Sequence, residues 1–468
     1  MSTPAKHKVG KAVDSIQQHL TDYAIRLNYD GLSPEAVHAA KARIIDTLGA
    51  LIAGFFGEPC RIARDLASRM PNAGGATVIG TRMKTTPDMA AFVNATTARY
   101  PELTDSYHGP GSSHGHASDM ITPLLGMSEH ANVNGRSFIT AVVLAYEVFL
   151  RISDVFHNRA FDTTNFCCLG TAVGGAKLFE LTADQLAHGI SMAIVPNNIL
   201  RQVRMGEITM FKAAASGQAG RAGVFAALLA RAGMEGPHLP FEGKAGWCDH
   251  VARERFTLSA MGGAGEPFKI LQTQIKMRPS SGETIPCILA AEKIAPLKDP
   301  GAVERVIVEA NKYSRDHAGA DQEAWNPATR EAADHSLPYT VATTLIDGTI
   351  TLRSFDDAHL SNPTLRSLIR KVEVVENDEF SLAFDRFPVE HRTRITVVTA
   401  SGERLVAESG GDKDDLSMPR TDAEIEGKFR SLTEDYLGAK RVNSILQTLW
   451  HLEDLEHAAA IPAAFVLA

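Results

Sequence analysis

Gly262-Gly263-Ala264-Gly265 divides the chain by character, and the residues on either side of this run decide the fold. Before it, over residues 15–261, apolar residues recur mostly at three- and four-residue steps. Ser33-Pro34-Glu35 opens one such segment with an N-cap serine, a proline at the first helical position and an early acid; Val37, Ala40, Ile44, Leu48 and Leu51 then line one face. Residues 138–152, 181–193 and 217–232 are rich in alanine and glycine at helical spacing, which suits close helix packing. After the run the period changes. Residues 268–276 and 303–309 read as strands around a helical stretch at 282–294, residues 334–346 as another helix, and 372–375, 394–398 and 404–407 as strands. From about residue 421 the chain is helical again. The pattern predicts a mainly α protein: a large all-α helical bundle domain over residues 1–266, completed by C-terminal helices within 410–468, and a smaller α/β (α+β) domain over 267–409.

With 468 residues the chain exceeds the length at which single cores stop growing, roughly 250–300 residues, so more than one folded unit is expected. Hydrophobic residues make up 44% and charged residues 22%, an ordinary globular composition. Against 47 Lys and Arg stand 55 Asp and Glu, and the net charge of −8 argues against a general nucleic-acid or anionic-membrane binder. An anionic substrate must therefore meet a local cluster of cations. The five cysteines are odd in number and lack CxxC spacing, which implies no disulfide framework and points to a reducing compartment. Residues 1–20 lack a signal-peptide apolar core, and the apolar stretch 140–152 is short and interrupted by Glu147; the expectation is a soluble cytoplasmic protein with no membrane partner.

The densest polar stretch, residues 101–119, carries three histidines, three carboxylates and three glycines in nineteen residues. Such a segment is costly to bury unless its polar groups are paired or used, and a solvated loop is the plain alternative. His114 and His116 with Asp105 or Asp119 offer ligands to a metal ion, but the spacing matches no established metal motif. Without metal, His116 serves as acid or base, since imidazole titrates near neutrality. Lys212 precedes a run of small residues from which a lysine either enters a cavity or snorkels to solvent, and Lys276 stands at the end of the stretch read as a strand. The glycine runs do not form GxGxxG, Gly243-Lys244 is followed by alanine, and Cys167-Cys168 reads as a structural pair; no nucleotide cofactor is expected.

Taken in order, several strings resemble the MmgE/PrpD family, which contains 2-methylcitrate dehydratase, cis-aconitate decarboxylase and iminodisuccinate epimerase. Residues 100–119 are similar to the family's LDFNDT followed by HPSD, Phe161-Asp162-Thr163-Thr164 to a GWD-x-x-T variant, and Met210-Phe211-Lys212 to MWK. Ile275-Lys276 with Pro279 is similar to IK-x-x-P, and His335-Ser336-Leu337-Pro338-Tyr339 with Asp347-Gly348 completes the series. The resemblance implies a helical domain with a smaller α/β lid, a homodimer, and a site between the domains that needs neither cofactor nor metal. It places His116 on the family's histidine, Lys212 and Lys276 on its lysines, Tyr339 on its tyrosine and Ser106 on a site threonine, while Asp162 stands where the decarboxylases have histidine. Glu102, Leu103 and Thr104 depart from the family's Asp, aromatic and Asn or Asp, one extra residue separates Ser106 from His116, and residues 280–284 replace an AEYHSQ-like stretch.

The implied activity is a hydro-lyase acting on a small di- or tricarboxylate, with decarboxylation and epimerisation as rivals on the same scaffold. In that reading His116 is the acid or base, Tyr339 its proton-donating partner, and Asp105 or Glu102 orients the histidine. Lys212 and Lys276, with Arg204 or Arg278, hold carboxylate and developing charge, beside Ser106 and Asp162. A His/Asp metalloenzyme and a non-catalytic helical binding protein are the alternatives from other classes.

Overall fold

The computed structural model describes residues 13–109, 114–386, 388–411, 415–416 and 418–467. Two separate hydrophobic cores organise the chain. The larger is built from helices upstream of the glycine run and from the C-terminal helices. Ser33 caps the helix Pro34–Gly54, its Oγ accepting the Ala36 N–H, and the face expected from the sequence, including Ile44, Leu48 and Leu51, is buried. The helices Pro87–Arg99, Ile121–Ala131, Gly135–Ser153, Thr164–Leu178 and Phe211–Arg231 pack around it. Their approach is set by missing side chains: a Cβ on Gly217 would lie 2.2 Å from Thr96 Oγ1, and one on Gly223 2.5 Å from the Cys168 carbonyl. Helices Asp422–Leu437 and Ala439–Trp450 return to this core through Ile425, Phe429, Val442 and Leu446. Among the described residues no helix is long and apolar enough to cross a membrane.

The second core lies under a four-stranded sheet in the order Val372–Glu376, Val303–Ala310, Thr393–Thr399, Arg404–Ser409. Val303–Ala310 runs parallel to the first of these and antiparallel to the third, so a helical crossover separates the parallel pair. Val306, Val308, Ile395 and Val397 face helices Ile285–Glu292 and Leu337–Asp347. The fold is thus mainly α with a smaller α/β portion.

One local expectation is corrected and one open alternative is decided. Residues 268–276 are not one strand: Lys269–Gln272 is a 3-10 turn, because the Lys269 N–H is drawn to Glu147 Oε2 at 2.7 Å, and only Gln274–Ile275 is extended. Within the polar stretch, residues 101–109 and 114–119 are not a solvated loop. Asp105–His108 is a buried strand between His114–Gly115 and Gln274–Ile275, which ties the histidine segment to the lysine segment.

Candidate active site

Helix Pro87–Arg99 ends on Arg99, and the chain turns through Glu102 at a φ of 55°, a conformation costly for a residue with a side chain. The turn sends both side chains inward, where each is 0% exposed. Glu102 Oε1 accepts from Lys276 Nζ at 2.9 Å, while Oε2 lies 2.6 Å from Arg99 Nη1 and 3.1 Å from Lys212 Nζ. Lys212 comes from the first turn of Phe211–Arg231, and Lys276 follows the strand Gln274–Ile275. One carboxylate therefore gathers three cations, the neighbouring Arg99 and two lysines from remote segments. Burial alone would raise the Glu102 carboxyl, but Arg99, Lys276 and Lys212 outweigh it and hold the group well below the usual carboxylate range.

His116 follows the strand His114–Gly115. Its Nδ1 lies 2.7 Å from the Asp105 carbonyl oxygen, which can only accept, so Nδ1 carries the proton and Nε2 is the basic nitrogen. That Nε2 lies 3.9 Å from Glu102 Oε1. Burial, aided by the charges of Arg99 and Lys276, holds the imidazole well below its usual range and keeps it neutral. Nearby, burial pushes the Asp119 carboxyl up to about 6, although Arg99 and the Ser216 hydroxyl, which donates to Asp119 at 2.6 Å, oppose the rise.

The facing wall comes from the segment before helix Leu337–Asp347. Asp334 Oδ1 and Oδ2 accept from Lys212 Nζ at 2.8 and 3.0 Å, and Oδ2 also accepts from Arg330 at 3.2 Å. His335 Nδ1 donates to Asp334 Oδ1 at 2.5 Å, leaving Nε2 as its second functional atom. Sequence reading had His335 only as part of a family string and Asp334 only as the start of a predicted helix; an acid immediately before a histidine at a capped helix start is the signal it passed over. Arg99, at the other wall, reads in sequence as an ordinary basic residue ending a helix.

Of these groups Arg99, Glu102, His116 and His335 line one cavity with Asp162 and Arg204, and the fully buried Lys212, Lys276 and Asp334 stand behind them, both lysines against Glu102. Asp162 Oδ1 accepts from the Thr164 N–H at 3.0 Å and hydroxyl at 2.7 Å, and Oδ2 from Arg204 Nε at 2.7 Å. Burial would raise this carboxyl, but Arg204 and Thr164 hold it below its usual value.

Four sequence assignments need correction. Tyr339 is fully buried in the second core, where the helical period places it, and its hydroxyl donates to the Ser354 carbonyl at 2.7 Å; it does not line the cavity. Arg278 is bidentate to Glu292, at 2.6 and 2.8 Å, in a surface depression with Gly348 and Thr349. Asp105 orients His116 through its main-chain carbonyl, because its carboxylate is taken by the Ser118 N–H and the Tyr146 hydroxyl at 3.2 and 2.9 Å. Ser106 stands behind the lining: its Oγ would be 3.5 Å from a Cβ placed on Gly282. The structure does bring His116, Lys212, Lys276, Glu102, Asp162 and Arg204 together.

Among the described residues, Glu102, Asp334 and His335 bring ligand-type atoms within 4.8 Å of one another. Lys212 Nζ sits against all three, 3.1 Å from Glu102, 2.8 Å from Asp334 and 3.4 Å from His335 Nδ1, so an ammonium already supplies the charge a divalent ion would bring. The combination of His114 and His116 with Asp105 or Asp119 is not assembled, since both carboxylates and His116 Nδ1 have other partners.

A cavity lined from both the helical and the α/β portions, with His116 and His335 beside Arg99 and Arg204, carries the residue types of an acid–base site. The chain belongs to the MmgE/PrpD family: residues 18–258 match the MmgE/PrpD N-terminal domain and residues 279–452 the MmgE/PrpD C-terminal domain. It is 22% identical over 445 residues to the cis-aconitate decarboxylase of Homo sapiens, covering 92% of this chain and 90% of that one. It is 25% identical over 401 residues to the mitochondrial 2-methylcitrate dehydratase of Yarrowia lipolytica, covering 81% and 75%. With the 2-methylcitrate dehydratase of Escherichia coli K12 it shares 23% over 384 residues, 77% of each chain. These relatives are enzymes, and they support a lyase-type enzyme here.

Proposed function

We propose that this chain is a hydro-lyase acting on a small di- or tricarboxylate. Loss of water from a β-hydroxy carboxylate needs a base for the carbon-bound proton, cations for the enolate-like charge that follows, and an acid for the leaving hydroxyl. His116 Nε2, neutral and unprotonated, takes the proton. Lys276, Lys212 and Arg99 stabilise the carboxylate as charge moves onto it. His335, fixed by Asp334 from the opposite wall, delivers a proton to the departing hydroxyl. The observation that carries the reading is the His116 tautomer: a carbonyl at Nδ1 leaves the lone pair on the nitrogen nearest the cation cluster. The Asp162–Arg204 pair favours dehydration over decarboxylation, since an aspartate consumed by an arginine offers no proton to a carbanion.

Incubation with citrate, 2-methylcitrate, cis-aconitate and iminodisuccinate, read by mass, tests this. Water loss from a hydroxy acid supports it. Carbon dioxide loss from cis-aconitate, or unchanged mass with inverted chirality from iminodisuccinate, replaces it with a rival on the same scaffold. Inactivity on all four, with no thermal shift, favours a binding protein.

A second copy of the chain belongs to the same reading. Helix Phe211–Arg231 leaves Phe211 and Phe225 exposed, spaced so as to share one face, and Leu200, Met205 and Met210 just upstream are exposed too. Light scattering of the purified protein reads the dimer directly.

A further inference from the structure

The outer part of the cavity carries donors that the chemistry above leaves unused. Arg201 opens the 3-10 turn Arg201–Arg204, which main-chain bonds fix in place: its N–H donates to the Ala160 carbonyl at 2.9 Å, and the Asp162 N–H to the Ile199 carbonyl at 2.9 Å. The side chain lines the cavity, and among the described residues no carboxylate pairs with its guanidinium. Arg204, beside it, spends Nε on Asp162, yet its Nη1 is buried without a partner. Beside Arg201 stands Tyr313, on the helix Lys312–Ala318 of the α/β portion, whose next turn brings His317 to the cavity wall. Its ring is held by stacking on His317, with centroids 4.1 Å apart, and on Phe384, at 5.5 Å. The hydroxyl is buried and its proton meets no acceptor. Burial and the charge of Glu283 push this phenol above its usual range, against Arg201 and Arg159, so it stays a neutral donor beside Arg201.

A buried donor without an acceptor costs free energy that a ligand recovers. A planar guanidinium matches a carboxylate in its own plane, and a phenolic O–H adds a donor from another direction. Glu283 shares the cavity as a carboxylate, held down to about 2 against burial by His108, Ser281 and His335, and so confines an incoming anion to the arginine side. We propose that Arg201, Tyr313 and the free edge of Arg204 form a subsite for a second carboxylate of the substrate, remote from the one at Lys212 and Lys276. The assignment rests on the carboxylate-lyase reading and deepens it: the substrate spans the cavity with an anionic group at each end, and one of its ends is recognised jointly by the helical and α/β portions.

Calorimetric titration with propane-1,2,3-tricarboxylate and with butanoate, on the full chain, tests the subsite. Arg201→Gln and Tyr313→Phe should each weaken the tricarboxylate about tenfold while leaving butanoate unchanged, and should raise KM more than they lower kcat on whichever acid is turned over. Tyr313→Phe keeps the stacked ring, so its effect reads the hydroxyl alone. Equal weakening of both ligands, or none, overturns the subsite. Should the wild type turn over a polycarboxylate while both variants keep its KM, the subsite falls and the lyase reading stands. If the wild type neither binds nor converts any of these acids, both fall.

Discussion

Lys428 Nζ lies 2.7 Å from the main-chain carbonyl oxygen of Lys276. The same ammonium donates to the Leu103 carbonyl at 2.7 Å and pairs with Asp46. The C-terminal helix Asp422–Leu437 thereby grips the backbone beside Lys276 and beside Glu102, whose side chains meet on the other side of the chain. Lys428→Met should destabilise the protein by about 3 kcal/mol or more, because Asp46 is left as an uncompensated buried charge. Adding Asp46→Leu should recover much of the stability measured by urea unfolding. Turnover should stay low in the double variant, since the two carbonyls remain untethered; full recovery of kcat would show the contact to be purely structural.

His116→Gln should lower turnover by about 10²–10⁴-fold, the range expected for losing a positioned base, with the melting temperature nearly unchanged. Lys212→Met should lower both, because its ammonium balances Asp334 and Glu102 in a fully buried setting. Steady-state rates measured beside calorimetric melting separate the two behaviours. An intact rate in the His116 variant would remove it from the mechanism.

The acid limb of kcat/KM should fall below the ordinary histidine range. His116 is held well under its usual value, so its lone pair persists as pH drops through about 6.5, where a solvent-exposed imidazole would already be half protonated. A pH–rate profile bending at the ordinary value would point to another base.

Stability should decline on the acid side. His108 and His391 are buried against each other, with ring centroids 4.9 Å apart; burial first, then the charges of His114 and Lys276, lowers His108 to about 4, and burial first, then His108, lowers His391 to about 3. The folded state therefore binds fewer protons than the unfolded one between those values and about 6.5; stability is complete above that window and is lost as pH falls through it, on the order of 3 kcal/mol for His108 alone. His391→Phe, which fits beside Phe384 and removes two nitrogens lacking partners, should flatten the loss in denaturant titrations. An unchanged slope would exclude the pair as its source.

Much of the scaffold was legible because its signals are local. Ser33-Pro34 announces a helix start, and the alanine and glycine runs announce close packing that Gly217 and Gly223 then display. The site was legible only in part, because its chemistry depends on neighbours distant in sequence. Lys212 and Lys276 looked equally like surface lysines until Glu102 supplied a shared buried partner. Lys428, on a helix with a wet face, carries no sign of the two carbonyls it holds. Tyr339 shows the opposite error: a family position suggested chemistry where the helix period already pointed to burial, while Tyr313, in no recognised string, stacks on His317 at the cavity wall.

The bond from His116 to residue 105 has an evolutionary consequence. Every amino acid offers the same main-chain oxygen, so the choice of which ring nitrogen bears hydrogen is inherited with the path of the strand and not with the identity of a side chain. Drift at position 105 can loosen the Tyr146 and Ser118 anchors without turning a proton acceptor into a donor, and lineages that exchange substrates can keep one protonation pattern throughout.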